Sequence, residues 1–370
     1  MESVRLKVAY VGFNMTGLVG AKRLEVLRRY FGSVCNAWDA DPTDVSQVLN
    51  LGSELADRIN RIKRERLAEK EVETAGRLDV NVVTAEDKDY PVSLREIDSP
   101  PILLYVHGRL IVDAVRVAVV GTRNPTSYGR KAAKDISEYL ADMGVTVVSG
   151  LAYGIDTEAH LAALNKGGRT MAVIATGMDI VYPRSNRGIL ERIVDSNGVV
   201  ITEYPFGTLP SRRNFPLRNR IISGVSQGVV VIEAPAKSGA LITANFAVEQ
   251  NRDVFVVPGS IYNRKCEGSN KLIQQGAYPI LYPSDILREL GYPTERRQHL
   301  QDGVENLDTD ERRILEVVDY VEPVTIDYIV EKTGMGVDVV RSRLMLLEMK
   351  ELVSSVSDGR YIRIGGESVG

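Results

Sequence analysis

The nine residues from Arg212 to Arg220 hold four arginines, two asparagines, one phenylalanine and one proline. This mixture has two readings. In one, the Phe215 ring stacks on a nucleobase while Arg212, Arg213, Arg218 and Arg220 hold backbone phosphates, as in single-strand binders. In the other, Phe215 plugs the edge of a sheet and the arginines pair with acidic neighbours. Spacing alone leaves both open. No Asp or Glu lies between Glu203 and Glu233, and none lies between Asp113 and Asp135, where Arg116, Arg123, Arg130, Lys131 and Lys134 fall. In a chain with 49 acidic residues, two such windows at strand ends would line a positive groove across the top of a sheet.

A second candidate is Gly121-Thr122-Arg123-Asn124-Pro125-Thr126-Ser127-Tyr128-Gly129. A nicotinamide-binding turn would read GxGxxG, with an acidic residue closing the next strand. Here Arg123 stands where close backbone approach needs glycine, and the next strand closes on Ser149-Gly150. An arginine and a hydroxyl before a helix N-terminus instead suit a phosphate, through charge and free amides together. The alternative is a strand-to-helix turn whose arginine faces solvent.

Catalytic patterns fail on context. Gly224-Val225-Ser226-Gln227-Gly228 spells GxSxG, but that elbow needs a strand before it and a helix after, and the sequence here reads the other way round. No GxxxxGK[ST] is present. Asp156 and His160 stand one helical turn apart with no nucleophile beside them, which reads as a structural cap and hydrogen bond. The three histidines are scattered, and Cys35 and Cys266 belong to no CxxC pair. Neither a metal site nor a cofactor is expected, and a reducing compartment fits.

Short β-branched runs alternate with amphipathic helices between Arg116 and Tyr282. The runs are Val117 to Val120, Thr146 to Val148, Met171 to Ala175, Val199 to Thr202, Val229 to Ile232 and Val254 to Val257. They are continuous rather than alternating, as strands buried on both faces should be. A first helix from Ser127 carries Ala132, Ala133, Ile136, Leu140 and Met143 and stops at Gly144. The reading is α/β, an extended Rossmann-like, doubly wound, mostly parallel sheet over residues 74–289. A small helical N-terminal domain (1–73) precedes it, and a linker (290–306) rich in Arg296, Arg297, Gln298 and Gln301 follows. Three helices and a hairpin around Ser357-Asp358-Gly359 then make a winged-helix domain over 307–365. The Gly17-Leu18-Val19-Gly20 turn is similar to a helix-hairpin-helix turn, with a plain interhelical turn favoured. The run Arg58, Arg61, Lys63, Arg64, Arg66 reads as a solvated helix face.

Composition bounds the rest. Of 370 residues, 44% are hydrophobic and 26% charged, the balance of an ordinary globular protein. Formal net charge is −3, so any nucleic-acid function must come from local charge. No stretch approaches the ~20 apolar residues of a membrane span, and Met1 to Tyr10 lacks signal-peptide features. Cytoplasmic localisation and no membrane partner are expected.

From Pro91 to Tyr282 the chain resembles the DNA-processing protein A (DprA/Smf) family of bacteria. Shared words run in order: Val120-Gly121-Thr122-Arg123, Tyr128-Gly129, Ser149-Gly150-Leu151-Ala152, Gly154-Ile155-Asp156 with His160, Gly167-Gly168, and Tyr182-Pro183 with Asn186. Glu203 with Pro205, Phe215-Pro216 with Arg218-Asn219-Arg220, Glu233-Ala234, Ser238-Gly239, Thr243-Ala244, Arg252, Pro258-Gly259 and Gly268 with Asn270 follow. The resemblance implies a non-catalytic homodimer that binds single-stranded DNA, protects incoming strands in natural transformation and loads the RecA recombinase on them. It places a phosphate-binding arginine on Arg123, a basic residue on Arg212 and base stacking on Phe215. With the strand-end loops and acid-free windows, the expected phosphate-binding set is Gly121, Thr122, Arg123, Arg130, Lys131, Ser149, Gly150, Arg212, Arg218, Asn219, Arg220, Ser238, Gly239 and Thr243. Thr122 and Thr202 stand where the family usually has serine, and the N-terminal helices match only loosely.

From Asn306 to Ile364 the tail holds twelve acidic residues against eight Lys and Arg. A groove-reading helix would be more basic, so a protein-contact or dimer-stabilising role is expected there. A winged-helix regulator of duplex DNA is disfavoured for the same reason. The remaining competitor is a nucleotide phosphoribohydrolase of the LOG (lysine-decarboxylase-like) type, similar in fold. Its Pro-Gly-Gly-x-Gly-Thr turn and catalytic glutamate are replaced here by Ser238-Gly239-Ala240-Leu241-Ile242-Thr243, with no acid before Glu249.

Overall fold

The computed structural model describes residues 2–294, 307–319, 323–349, 352–356 and 359–363. They fall into two compact units, Met1–Thr294 and Glu295–Gly370. A nine-stranded sheet runs through the first: β1 Val80–Thr84, β2 Leu103–Gly108, β3 Arg116–Val120, β4 Thr146–Ser149, β5 Thr170–Val173, β6 Val199–Thr202, β7 Gly228–Val231, β8 Asp253–Val256 and β9 Tyr278–Pro279. Their spatial order is β1-β2-β6-β5-β4-β3-β7-β8-β9. Pairing is parallel from β6 through to β9, whereas β1 and β2 run antiparallel at one edge.

The six β-branched runs are the six strands β3 to β8. Successive side chains of a strand point to opposite faces, and β3 shows the consequence. Val117 and Val119 pack with Ala133, Ile136, Leu140 and Ile155 from helices Ser127–Asp142 and Ile155–Asn165. Ala118 and Val120 pack on the other side with Ile221, Ile222, Ala240 and Ala244 from helices Asn214–Gly224 and Gly239–Glu249. Going along the chain, β3 to β6 step outward in one direction and β7 to β9 in the other. The switch point lies between β3 and β7, and the crevice there is where such sheets take ligands.

Two expectations change. The helices at the N-terminus run on to Arg77, and they do not form a domain with its own core. Phe13, Leu27, Leu55 and Ile59 share one buried cluster with Val80, Tyr105 and Val200. The physical reason is the antiparallel edge β1–β2, whose apolar face would otherwise be bare. The Gly17–Gly20 turn joins helices Glu2–Thr16 and Ala21–Phe31, with Gly17 at a φ of 66°. Arg58 pairs with Glu54 and donates to the Thr16 carbonyl, and Lys63 donates to Ala40.

In the second unit, helices Thr309–Val317, Ile326–Thr333 and Val337–Met349 pack on a small sheet ordered β10-β12-β11 (β10 Val324–Thr325, β11 Val353–Val356, β12 Arg360–Arg363). Ile314, Leu315, Ile329, Val340 and Leu344 are its buried core. This is a winged helix. A capping box between Asp308 and Glu311 starts it. Arg296, Arg297, Gln298, Gln301, Asn306, Lys350, Ser357, Asp358 and Ile364 lie outside the described residues. Among the described residues, no helix is long and apolar enough to cross a membrane.

Candidate nucleic-acid interface

The carboxyl ends of β3 to β7 open on a cleft of about 590 Å³ at the switch point. Gly121, Thr122 and Arg123 reach it from β3, and Arg212, Phe215, Arg218 and Asn219 from the segment after β6. Ser238, Gly239 and Thr243 enter after β7. Two helices start at its wall. Asn214–Gly224 carries Phe215 and Pro216 in its first turn, so Phe215 sits on a helix and not in a loop. Proline is tolerated there because its missing N–H has no helical partner anyway. Gly239–Glu249 is capped by the Ser238 hydroxyl, which accepts from the Ala240 amide. Both helices bring the positive end of their dipole to the cleft.

Phe215 is half-buried. The Arg123 guanidinium lies 5.4 Å from its ring centroid, and the Tyr182 ring stands 5.5 Å away at 52°. Tyr182 is 40% exposed and lines the same cleft. Among the described residues, no carboxylate lies within ion-pair distance of Arg123, Arg212, Arg213 or Lys237. Tyr182 and Lys237 escape the sequence reading. The Tyr182-Pro183 word was visible but carried no role, and Lys237 stands just before the Ser238 cap.

The turn after β3 differs from the expectation in one respect. The N-terminus of helix Ser127–Asp142 is already occupied by a carboxylate of this chain. Glu233 is fully buried; it accepts from the Thr126 amide at 2.8 Å and from the Thr126 hydroxyl, while its carbonyl accepts from the Thr122 amide. A Cβ on Gly129 would collide with that carboxylate, which explains the glycine. The helix N-termini that open on the cleft beside Arg123 are therefore those at Asn214 and Gly239 rather than the one at Ser127.

Five expected phosphate ligands stand elsewhere or are spent. Ser149 is fully buried and donates to the Val119 carbonyl, tying β4 to β3. Gly150 is buried behind the Arg218 guanidinium. Arg220 is bonded to Glu203 at 2.5 Å, with both side chains 15% exposed, and it faces another groove. Arg130 pairs with Glu158, and Lys131 with Asp135, on the outer face of their helix. A carboxylate on another element, 28 residues from Arg130 or 17 from Arg220, is a partner that linear charge windows do not reveal.

Arg218 lines the cleft but works inward. It is 4% exposed, and its Nη1 donates to the carbonyls of Gly150 (2.8 Å) and Val173. Burial pulls its pKa down to about 10 despite nearby Asp156. Asp156, 7% exposed, accepts from the amides of Gly150 (3.1 Å) and Ala152 (3.2 Å). Burial raises its pKa against the pull of Arg218 and those amides. A Cβ on Gly150 would lie 2.5 Å from Arg218 Nη2 and 2.8 Å from Asp156 Oδ2, so only glycine lets the two charges close over the strand end. Leu151 beside them holds a φ of 55°, strain of the kind found where a site is over-determined.

His160 is no partner of Asp156. Its Nδ1 meets the Thr170 hydroxyl at 2.7 Å, and burial lowers its pKa to about 3. Ser226 of the GxSxG word is fully buried between helix Asn214–Gly224 and β7, donating to the Ile222 carbonyl. Neither can act on a substrate.

Residues 81–291 match the family model "DNA recombination-mediator protein A", and residues 300–359 match "DprA winged helix domain". The chain is 37% identical to Protein Smf of Synechocystis over 93% of its own length and 96% of that relative's. The X-ray structure of DNA processing protein A from Streptococcus pneumoniae superposes with a TM-score of 0.67 at 34% identity, covering 77% of this chain and 97% of that one. The same protein from Helicobacter pylori, whose structure concerns its single-stranded DNA binding mode, superposes with a TM-score of 0.52 at 29% identity. It covers 58% of this chain and 98% of that one. With one family model spanning more than half of its length, the chain belongs to the DNA recombination-mediator protein A family.

Proposed function

We propose that this protein binds single-stranded DNA in the switch-point cleft without reading base identity. The observation that carries the reading is the triad of Arg123, Phe215 and Tyr182, flanked in the cleft by Arg212 and Lys237, cations with no carboxylate in ion-pair range among the described residues. Aromatic faces stack on any base, and guanidinium groups hold any phosphate. The single-strand binding of the Helicobacter pylori relative supports it. The test is binding to an oligothymidine and to its duplex at two salt concentrations. The single strand is expected to bind more tightly, with little sequence preference. Equal or tighter duplex binding would sink the reading and shift attention to the winged helix.

Arg123 supplies a second expected result. Arg123→Ala should weaken binding to every sequence alike and flatten the log–log salt dependence by about 0.7 for the lost phosphate contact. Arg123→Lys should restore only part, since a point charge does not reproduce a bidentate fork. A slope unchanged in Arg123→Ala would assign the arginine to structure.

Family membership supports three finer statements: the bound strand is passed to the RecA recombinase, the protein works as a homodimer, and it catalyses no reaction. Against hydrolysis of the LOG type, Glu249 ends the helix that begins at Gly239. Six residues of rise beyond Thr243, the last cleft residue of that helix, put it roughly 9 Å further from the cleft. For the winged helix we favour protein contact. Arg343, on its third helix, faces Asp308 at 3.0 Å, in keeping with the acid excess of this unit.

A further inference from the structure

A second groove of about 470 Å³ adjoins the cleft. Its walls belong to two segments that also wall the cleft. On the first, Val181 and Arg184 face the second groove while Tyr182 between them faces the cleft. On the other, Leu209 faces the second groove and Arg212 and Phe215 face the cleft. The two spaces thus lie along the same two segments, whose residues are divided between them, with Tyr182 on the cleft side.

The groove is built to hold its shape. Asn186 is buried, and its Nδ2 donates to the Leu151 carbonyl (3.0 Å) and the Thr157 hydroxyl (2.9 Å), fixing the Arg184–Asn186 turn to the loop after β4. The walls are tied to each other at their base. Asp179 accepts from the Gly207 amide at 2.9 and 3.1 Å, and the Gly177 amide donates to the Thr208 carbonyl at 3.0 Å. Asp179 is thus committed to the opposite wall.

Its surface suits a nucleotide chain. Arg184 is exposed with no carboxylate in ion-pair range among the described residues, and Arg187 meets only Glu191, at 3.4 Å between exposed side chains. Such an exposed pair holds its cation weakly. Leu209 is 69% exposed and offers an apolar face, and Tyr182, in sequence between the groove residues Val181 and Arg184, is an exposed ring. A fixed wall with available cations, next to an exposed ring, is what a single strand needs.

We propose that the strand leaves the cleft over Tyr182 and continues along this groove, with Tyr182 as a second stacking ring and Arg184 and Arg187 on the phosphates. The inference rests on the cleft being a single-strand site. It adds nucleotides that the cleft alone does not hold.

The test is affinity of the full chain for oligothymidines of increasing length. Wild type should gain affinity with length until both spaces are filled. The Arg184→Ala/Arg187→Ala variant should match it on the shortest strands that bind, then stop gaining earlier. On long strands its log–log salt slope should be flatter by about 1.4, at 0.7 per phosphate. Arg184→Lys/Arg187→Lys should keep the wild-type slope. Tyr182→Ala should lose about tenfold on long strands, within the range of one stacked base, and Tyr182→Phe should not. A double variant with the wild-type length profile and slope overturns the proposal. So does an equal loss at every length, which would be a general field effect. Arg123→Ala separates the two readings. If it weakens binding at every length while the double variant behaves as wild type, only the second groove falls. If it leaves binding untouched, the cleft reading itself falls.

Discussion

Arg218→Met is expected to destabilise the fold by about 2–5 kcal/mol, since two buried carbonyls lose a donor at ~1–3 kcal/mol each and the buried Asp156 carboxylate loses a nearby cation. The Arg218 guanidinium bridges the Gly150 and Val173 carbonyls, and its charge acts on Asp156, itself almost fully buried, without an ion-pair contact. Methionine fills similar volume but leaves the carboxylate with two backbone amides and no cation, and leaves two carbonyls short of a donor. The measurement is the urea midpoint at unchanged slope, which reports stability alone. Arg218→Met/Asp156→Asn should recover part of the loss, because removing both charges of a buried pair costs less than removing one. Arg218→Lys should fall between, since one ammonium has difficulty serving two divergent carbonyls. Below its midpoint the single variant should bind single strands with the wild-type salt slope. The opposite pattern, wild-type stability with a flatter slope, would return this arginine to the phosphate-binding set.

Arg218 also shows where sequence reasoning stops. Its type and neighbourhood were legible as part of an acid-free window, but its partners were not. Gly150 and Val173 lie 68 and 45 residues earlier in the chain, and only the sheet brings them under one side chain. Arg220 fails the same way through Glu203. Strands β3 to β8 were legible because a strand buried on both faces must be apolar throughout. β1 and β2 were not read. They pair antiparallel at the edge, and their burial is completed by N-terminal helices whose amphipathic pattern does not say what they cover. β9 has two residues and exists only through its pairing with β8. Arg123 and Phe215 could be named in advance, yet their mutual contact could not. Tyr182 is brought to them by the turn after β5, and nothing in its local sequence announces an exposed ring.

That contact shapes the expected behaviour of Phe215. Phe215→Ala should cost about 1–3 kcal/mol of single-strand affinity, roughly 5- to 150-fold, if the ring stacks on a base. Phe215→Tyr and Phe215→Trp should keep most of it, because the requirement is a π-face. The Arg123 guanidinium rests over the same ring, and an exposed cation–π contact is worth about 0.5–1 kcal/mol. Alanine therefore also frees Arg123 to move. Its charge remains, so the salt slope should stay near wild type, in contrast to Arg123→Ala. A Phe215→Ala/Arg123→Ala double variant should lose less than the sum of the two single losses, the signature of neighbours that act through each other. Stability is the control. A fully buried phenylalanine cut to alanine costs ~3–5 kcal/mol, whereas Phe215 is half-buried in the first turn of its helix and touches Tyr182, so the urea midpoint should fall far less. A variant that unfolds readily yet binds oligothymidine normally in the cold would make Phe215 a packing residue of the cleft wall and end its role as a stacking platform.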